Sequence, residues 1–117
     1  PLCAARGIGI VIGGPYNSGI LATGAREGAY FNYDPAPQHI LDKVSAIEAF
    51  WAEQDVRLFD AAFRFPLMHP SVISVIPGGQ SPAEMASNLR AAQAQIPPAL
   101  WSDLKSAGLM RQDAPIV

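Results

Sequence analysis

The sequence predicts an α/β fold, and two observations carry that reading. Two short apolar, β-branched runs, Ile8-Gly-Ile-Val-Ile12 and Val72-Ile-Ser-Val-Ile76, each end in a glycine loop, and helical stretches fill the space between them and after them. Strand, loop, helices, strand, loop, helix is the order that parallel strands joined by helical crossovers produce. Runs that are apolar along their length suit strands covered on both faces, as in parallel sheets.

Taken in order, Pro1-Leu-Cys-Ala-Ala-Arg-Gly7 reads as the last turns of a helix ending at a glycine, as though the chain began in the middle of a larger unit. Residues 8–12 form the first strand, and Gly13-Gly-Pro-Tyr-Asn-Ser-Gly-Ile-Leu21 is the loop at its carboxyl end. Residues 22–36 show no period and read as loop. Between residues 37 and 53 the residues Ile40, Val44, Ile47 and Trp51 recur at steps of three and four, with Leu41 and Phe50 widening the stripe, which predicts an amphipathic helix with Trp51 in the core. Residues 58–68 predict a second, deeply buried helix that Pro66 bends or ends. The second strand, residues 72–76, runs into Pro77-Gly-Gly. Ser81-Pro-Ala-Glu84 then starts a helix: a serine cap, proline at the first helical position, and a glutamate placed to reach back to the serine's amide. Pro97-Pro98 begins a last helix through Trp101 and Leu104 to Gly108.

Composition bounds the function. A chain of 117 residues fits one domain, residues 1–117, and a net charge of -2 with 15 % charged residues offers no basic face for a phosphate backbone, so nucleic acid is not an expected partner. Apolar runs far short of about 18 residues and a lone cysteine, Cys3, point away from a membrane span or a disulfide framework and towards a cytoplasmic protein. Cys3 has no neighbour that would activate it and reads as a small helix residue.

Both glycine loops follow the carboxyl ends of strands, where parallel α/β sheets bind ligands, so both are expected at one site. A loop such as Pro77-Gly-Gly-Gln-Ser81 lets backbone approach a phosphate or its neighbouring sugar at a helix start. Either loop alone is also explained as a tight strand-to-helix turn.

The run Arg6-Gly-Ile-Gly-Ile-Val-Ile-Gly-Gly-Pro-Tyr-Asn-Ser-Gly-Ile-Leu21, with Phe31-Asn-Tyr33, Phe65-Pro-Leu-Met-His-Pro70, Ile73-Ser-Val-Ile-Pro-Gly-Gly79, Ser81-Pro82 and Asn88-Leu89, resembles the carboxyl-terminal third of an aldo-keto reductase. More narrowly it is similar to the branch with D-threo-aldose, L-fucose and pyridoxal 4-dehydrogenases. The resemblance implies a (β/α)8 TIM barrel, which needs about 250 residues, of which this chain would supply the last two βα units and the terminal helix. It implies a nicotinamide dinucleotide as cofactor. Gly14, Tyr16, Asn17 and Ser18 match the family's segment at the pyrophosphate, and Gly78, Gly79, Gln80, Glu84, Ser87 and Asn88 match the adenosine end. Many members place an aromatic residue at the position of Gly13 to stack on the nicotinamide; here either Tyr16 partly substitutes or that stacking is absent.

The 2′-phosphate of NADP calls for lysine or arginine, and these positions hold Gly78, Gln80 and Glu84. A carboxylate repels the phosphate and accepts from a free 2′-hydroxyl, so the expected cofactor is NAD rather than NADP. The capping role accounts for Glu84 without any ligand, and both roles can coexist. The family's catalytic tyrosine, lysine, aspartate and histidine match nothing here, so no catalytic residue and no metal ligand is assigned. Lys43 and Lys105 are placed on solvated helix faces, and His39 and His69 flank helix ends. Tyr30, Phe31 and Tyr33 either edge the substrate pocket or anchor their loop. Trp101 is expected to pack across the barrel exterior, and residues 111–117 could approach the substrate mouth.

The resulting expectation is an NAD-dependent oxidoreductase acting on a sugar at its anomeric carbon or on a related small alcohol or aldehyde. This chain would hold cofactor loops, be inactive by itself, and be completed by an amino-terminal barrel portion, because two apolar strands alone leave open edges. Two other classes stay open: a small non-catalytic α/β module binding a nucleotide or phosphate, and a structural fragment that completes another chain's sheet.

Overall fold

A computed structural model of the chain describes residues 1–116, so Val117 of the expected tail lies outside the described residues. The opening turn, α1 (Leu2–Ala5), closes at a glycine as expected. Gly7 takes φ +65°, its N–H donates to the Ala4 carbonyl, and the Ile8 N–H donates to the Cys3 carbonyl at 2.9 Å, which are the paired bonds of a Schellman cap. Ile8 is thus used in the cap, and β1 (Ile10–Gly13) starts two residues later than the apolar run suggests.

β1 lies parallel to the second apolar strand, Val72–Ile76. Ile10 faces Val72 and Val11 faces Ser74, so Ile73 is the extra residue of a bulge. Gly9 makes room for it: a Cβ there would stand 2.8 Å from Ile73 Cδ1. These two strands form a two-stranded sheet and no closed barrel. They are also not covered on both faces, which corrects the sequence reading. Val11 is 48 % exposed, Ile73 70 % and Ile76 62 %, because each strand has one neighbour and no layer lies over the remaining apolar surface.

Residues 22–36 are more ordered than a plain loop. A helical turn, α2 (Ile20–Thr23), leads to a hairpin of β2 (Tyr30–Phe31) and β3 (Asp34–Pro35). Asn32 and Tyr33 at its tip take φ +50° and +68°, the left-handed pair of a type I′ turn. Two-residue strands are too short to show a period, and tyrosine is not a residue that announces such a turn.

The crossover then runs through α3 (Gln38–Glu53) and α4 (Leu58–Arg64). Pro66 ends the α-helix as expected, and the chain continues as a 3₁₀ turn, Phe65–Met68. After β4, the strand Val72–Ile76, come α5 (Pro82–Gln93) and α6 (Pro98–Ser106). The core sits among the helices. Trp51, Ala61, Trp101 and Leu104 form one buried cluster, with the two indoles edge to face at 4.8 Å, and Ile20, Ala29 and Val44 form a second. Trp101 is therefore a core residue of this chain, 3 % exposed. Leu58 touches both clusters and joins them. Lys105 is not simply solvated: its Nζ donates to the carbonyls of Gln112 and Ala114 and holds the tail against α6.

Candidate functional site

The two glycine loops meet in one open groove of about 640 Å³, within the range of nucleotide-sized pockets. Tyr16 and Ser18 line it from the first loop. Gly78, Gly79 and Gln80 line it from the second, and Glu84, Ser87 and Asn88 from α5. Of the other two candidates, Asn17 turns away to the hairpin and Gly14 lies outside the lining.

Local chemistry explains the shape of each loop. The first turns sharply after β1 by placing Gly14, Asn17 and Ser18 at φ +61°, +46° and +62°. Asn17 Oδ1 accepts the Asn32 N–H at 3.1 Å and Ser18 Oγ accepts the Tyr33 N–H at 2.8 Å, so this loop caps the hairpin tip. The Ser18 hydroxyl keeps its own hydrogen to donate. In the second loop, Ser81 Oγ accepts the Glu84 N–H at 3.2 Å as the N-cap. The Glu84 carboxylate reaches back one residue further than expected: it accepts from the amide of Gln80, not Ser81. Ser81 is in extended backbone at φ -145°, and the amide ahead of it is the one within reach. At Gly79 a Cβ would stand 2.6 Å from Met85 Sδ, so a larger residue there would push that flexible side chain aside.

A pair of part-buried hydrogen bonds ties the loops together. The Tyr16 hydroxyl donates to Asn88 Oδ1 at 2.8 Å, and Asn88 Nδ2 donates to the Gly78 carbonyl at 3.0 Å; Asn88 is 4 % exposed. Tyr16 also stacks on Phe59, ring centres 4.4 Å apart. Its phenol is pushed up to about 12 by burial, with the Asp60 carboxylate adding and Arg57 opposing. Tyr16 is thus turned toward the second loop.

Phe59 was not among the sequence candidates. It forms part of the groove with Gly19, Ala22 and Ala83. A helical period placed it on a buried face, and nothing in that pattern distinguished it from core. No lysine or arginine lines the groove. Two guanidinium groups bonded to neighbouring side chains are Arg57, held by Asp60, whose carboxylate raises it above its ordinary value, and Arg90, which donates to Ser87 Oγ at 2.9 Å.

His69 Nδ1 accepts the Ser71 N–H at 3.1 Å, while His39 and Lys43 are exposed. Tyr33 is 92 % exposed and Tyr30 49 %, whereas Phe31 packs on the Ile20 cluster. Among the described residues no group of three metal-binding side chains occurs, and no helix is long and apolar enough to cross a membrane.

Comparison with known proteins bears on this groove. The sequence model of the Aldo/keto reductase family matches residues 1–108. D-threo-aldose 1-dehydrogenase of Pseudomonas sp is 38 % identical over 112 residues, which cover 94 % of this chain and 34 % of that protein. Pyridoxal 4-dehydrogenase of Microbacterium luteolum is 36 % identical over 110 residues, 94 % of this chain and 32 % of that protein. The chain spans about a third of the length of the curated relatives it matches.

Proposed function

The chain belongs to the aldo/keto reductase family, and from that premise we propose that it forms the dinucleotide-holding part of an NAD-dependent dehydrogenase acting on an aldose or a related small alcohol or aldehyde. The observation that carries this reading is the convergence of both glycine loops on one groove whose lining holds no cation.

The residues present fit such a cofactor. Gly78 and Gly79 keep side chains out of the second loop, and the groove is lined by the Ser18 and Ser87 hydroxyls, the Gln80 side chain and the Glu84 carboxylate together with the apolar Ala22, Phe59 and Ala83. Bound there, a nicotinamide dinucleotide would supply the hydride acceptor for oxidation of the substrate carbon. Ser18 donates to the pyrophosphate while still accepting from Tyr33. Glu84, already oriented by the Gln80 amide, accepts from the ribose 2′-hydroxyl and repels a 2′-phosphate, which favours NAD over NADP. On this reading no catalytic residue is assigned to the chain, the catalytic groups and the remaining barrel strands are left to polypeptide outside these residues, and the chain alone is expected to be inactive.

Dissociation constants for NAD and NADP test the reading. NAD binds more tightly to the parent protein, and Glu84→Arg narrows or inverts the preference. Equal affinities that do not respond to the substitution would sink the assignment of the second loop. Reduction of NAD in the presence of aldoses then tests the substrate class.

A further inference from the structure

We propose that Phe59 is a positioning residue for the groove, locking Tyr16 so that Tyr16 holds Asn88 and the Gly78 carbonyl where the adenosine half of the ligand binds; this rests on the nucleotide reading above.

The contacts form one continuous relay. Arg57 is clamped by Asp60 through two hydrogen bonds, one of them 2.9 Å from Nε to Oδ2, and its guanidinium carbon lies 5.7 Å from the centre of the Phe59 ring. That ring stacks on Tyr16 with 26° between the planes. The Tyr16 hydroxyl bonds Asn88, and Asn88 bonds Gly78. The first turn of α4 is thereby linked through the first loop to α5 and the second loop, segments 72 residues apart at the Tyr16–Asn88 bond.

The physical need for such a clamp is clear from the loop itself. Tyr16 sits among four residues of positive φ, Gly14, Asn17, Ser18 and Gly19, where no helix or strand fixes its direction. Asn88 is covered only while Tyr16 lies over it, so a Tyr16 ring that swings away breaks the bond at Oδ1, opens the site to water and removes the tie between the two loops. Phe59 is the side chain that removes this freedom. The stack also carries a spectroscopic mark, because the raised ionisation of Tyr16 depends on its burial against α4.

The test compares ADP-ribose and nicotinamide mononucleotide binding in the parent protein, Phe59→Leu, Phe59→Tyr, Tyr16→Phe and the Phe59→Leu/Tyr16→Phe pair. Tyr16 ionisation is read as the ultraviolet difference from Tyr16→Phe. Phe59→Leu is expected to weaken ADP-ribose by roughly three- to tenfold, to leave nicotinamide mononucleotide unchanged, and to bring Tyr16 back toward about 10. Phe59→Tyr, which keeps the ring, restores both readings. Because Phe59 also touches the groove, the double variant decides between relay and direct contact: a loss no greater than the larger single loss supports the relay, and fully additive losses overturn it. A Phe59→Leu protein that binds ADP-ribose like the parent overturns the relay alone. A parent that binds no dinucleotide at all overturns the functional reading first, and the two failures are thereby distinguished.

Discussion

At the scale of single residues, Tyr16 and Asn88 are hydrogen-bond partners of one another. Both were candidates for cofactor contact, and the fold joins them across the groove with a 2.8 Å bond. The bond matters because it covers Asn88, 4 % exposed with Tyr16 in place, and ties the first loop to α5. The pH dependence follows from the Tyr16 phenol, held at about 12 in the folded state against 10 unfolded. The protonated form is the one the fold favours, so the stabilisation is full below about pH 10 and is lost between about pH 10 and pH 12, as the unfolded chain ionises first. Urea midpoints taken on either side of that window should fall for the parent protein and fall less for Tyr16→Phe. Identical pH dependence in the two proteins would contradict the burial assigned to this phenol.

At the scale of elements, the helix starts are where sequence chemistry translated most directly into structure. Ser81 caps α5, Pro82 occupies its first turn, and Glu84 closes the box on Gln80. Ser81→Ala leaves the Glu84 N–H without its acceptor and is expected to cost about 1 kcal/mol, measured as a shift in denaturant midpoint. An unchanged midpoint would mean that the Glu84–Gln80 bond alone fixes the start of α5. The hairpin is the opposite case. Its tip residues Asn32 and Tyr33 are held by Asn17 and Ser18, fifteen residues away, and no local signal in residues 30–35 reports that support.

At the scale of the whole molecule, the exposed surface is larger than that of a typical folded monomer of this mass. The chain exposes 7333 Å², where a folded protein of this mass exposes roughly 6,100 Å². The surplus, on the order of 1,200 Å², is comparable to a standard protein interface. Part of it is the apolar sheet surface at Val11, Ile73 and Ile76, whose strands each present one unpaired edge. The 117-residue chain produced on its own is therefore expected to associate with rising concentration, and Ile73→Lys to reduce that association, as seen by light scattering. A monomer across the concentration range would show that this surface is tolerated in water.

What the sequence determined by itself is whatever is encoded within a few residues or one helical turn. The stripe Ile40, Val44, Ile47, Trp51 specified α3, Pro66 the end of α4, and the Ser81-Pro-Ala-Glu84 box the start of α5, because periodicity, ring geometry and capping act locally. The family likeness was legible for the same reason, in short runs at the strand ends. Tertiary structure alone decided the Tyr16–Asn88 bond, the stacking of Phe59, the hairpin held by the first loop and the exposure of the strands. Each of these depends on which distant segments lie side by side, and an apolar residue on a helix stripe reads the same whether it faces a core or the floor of a groove.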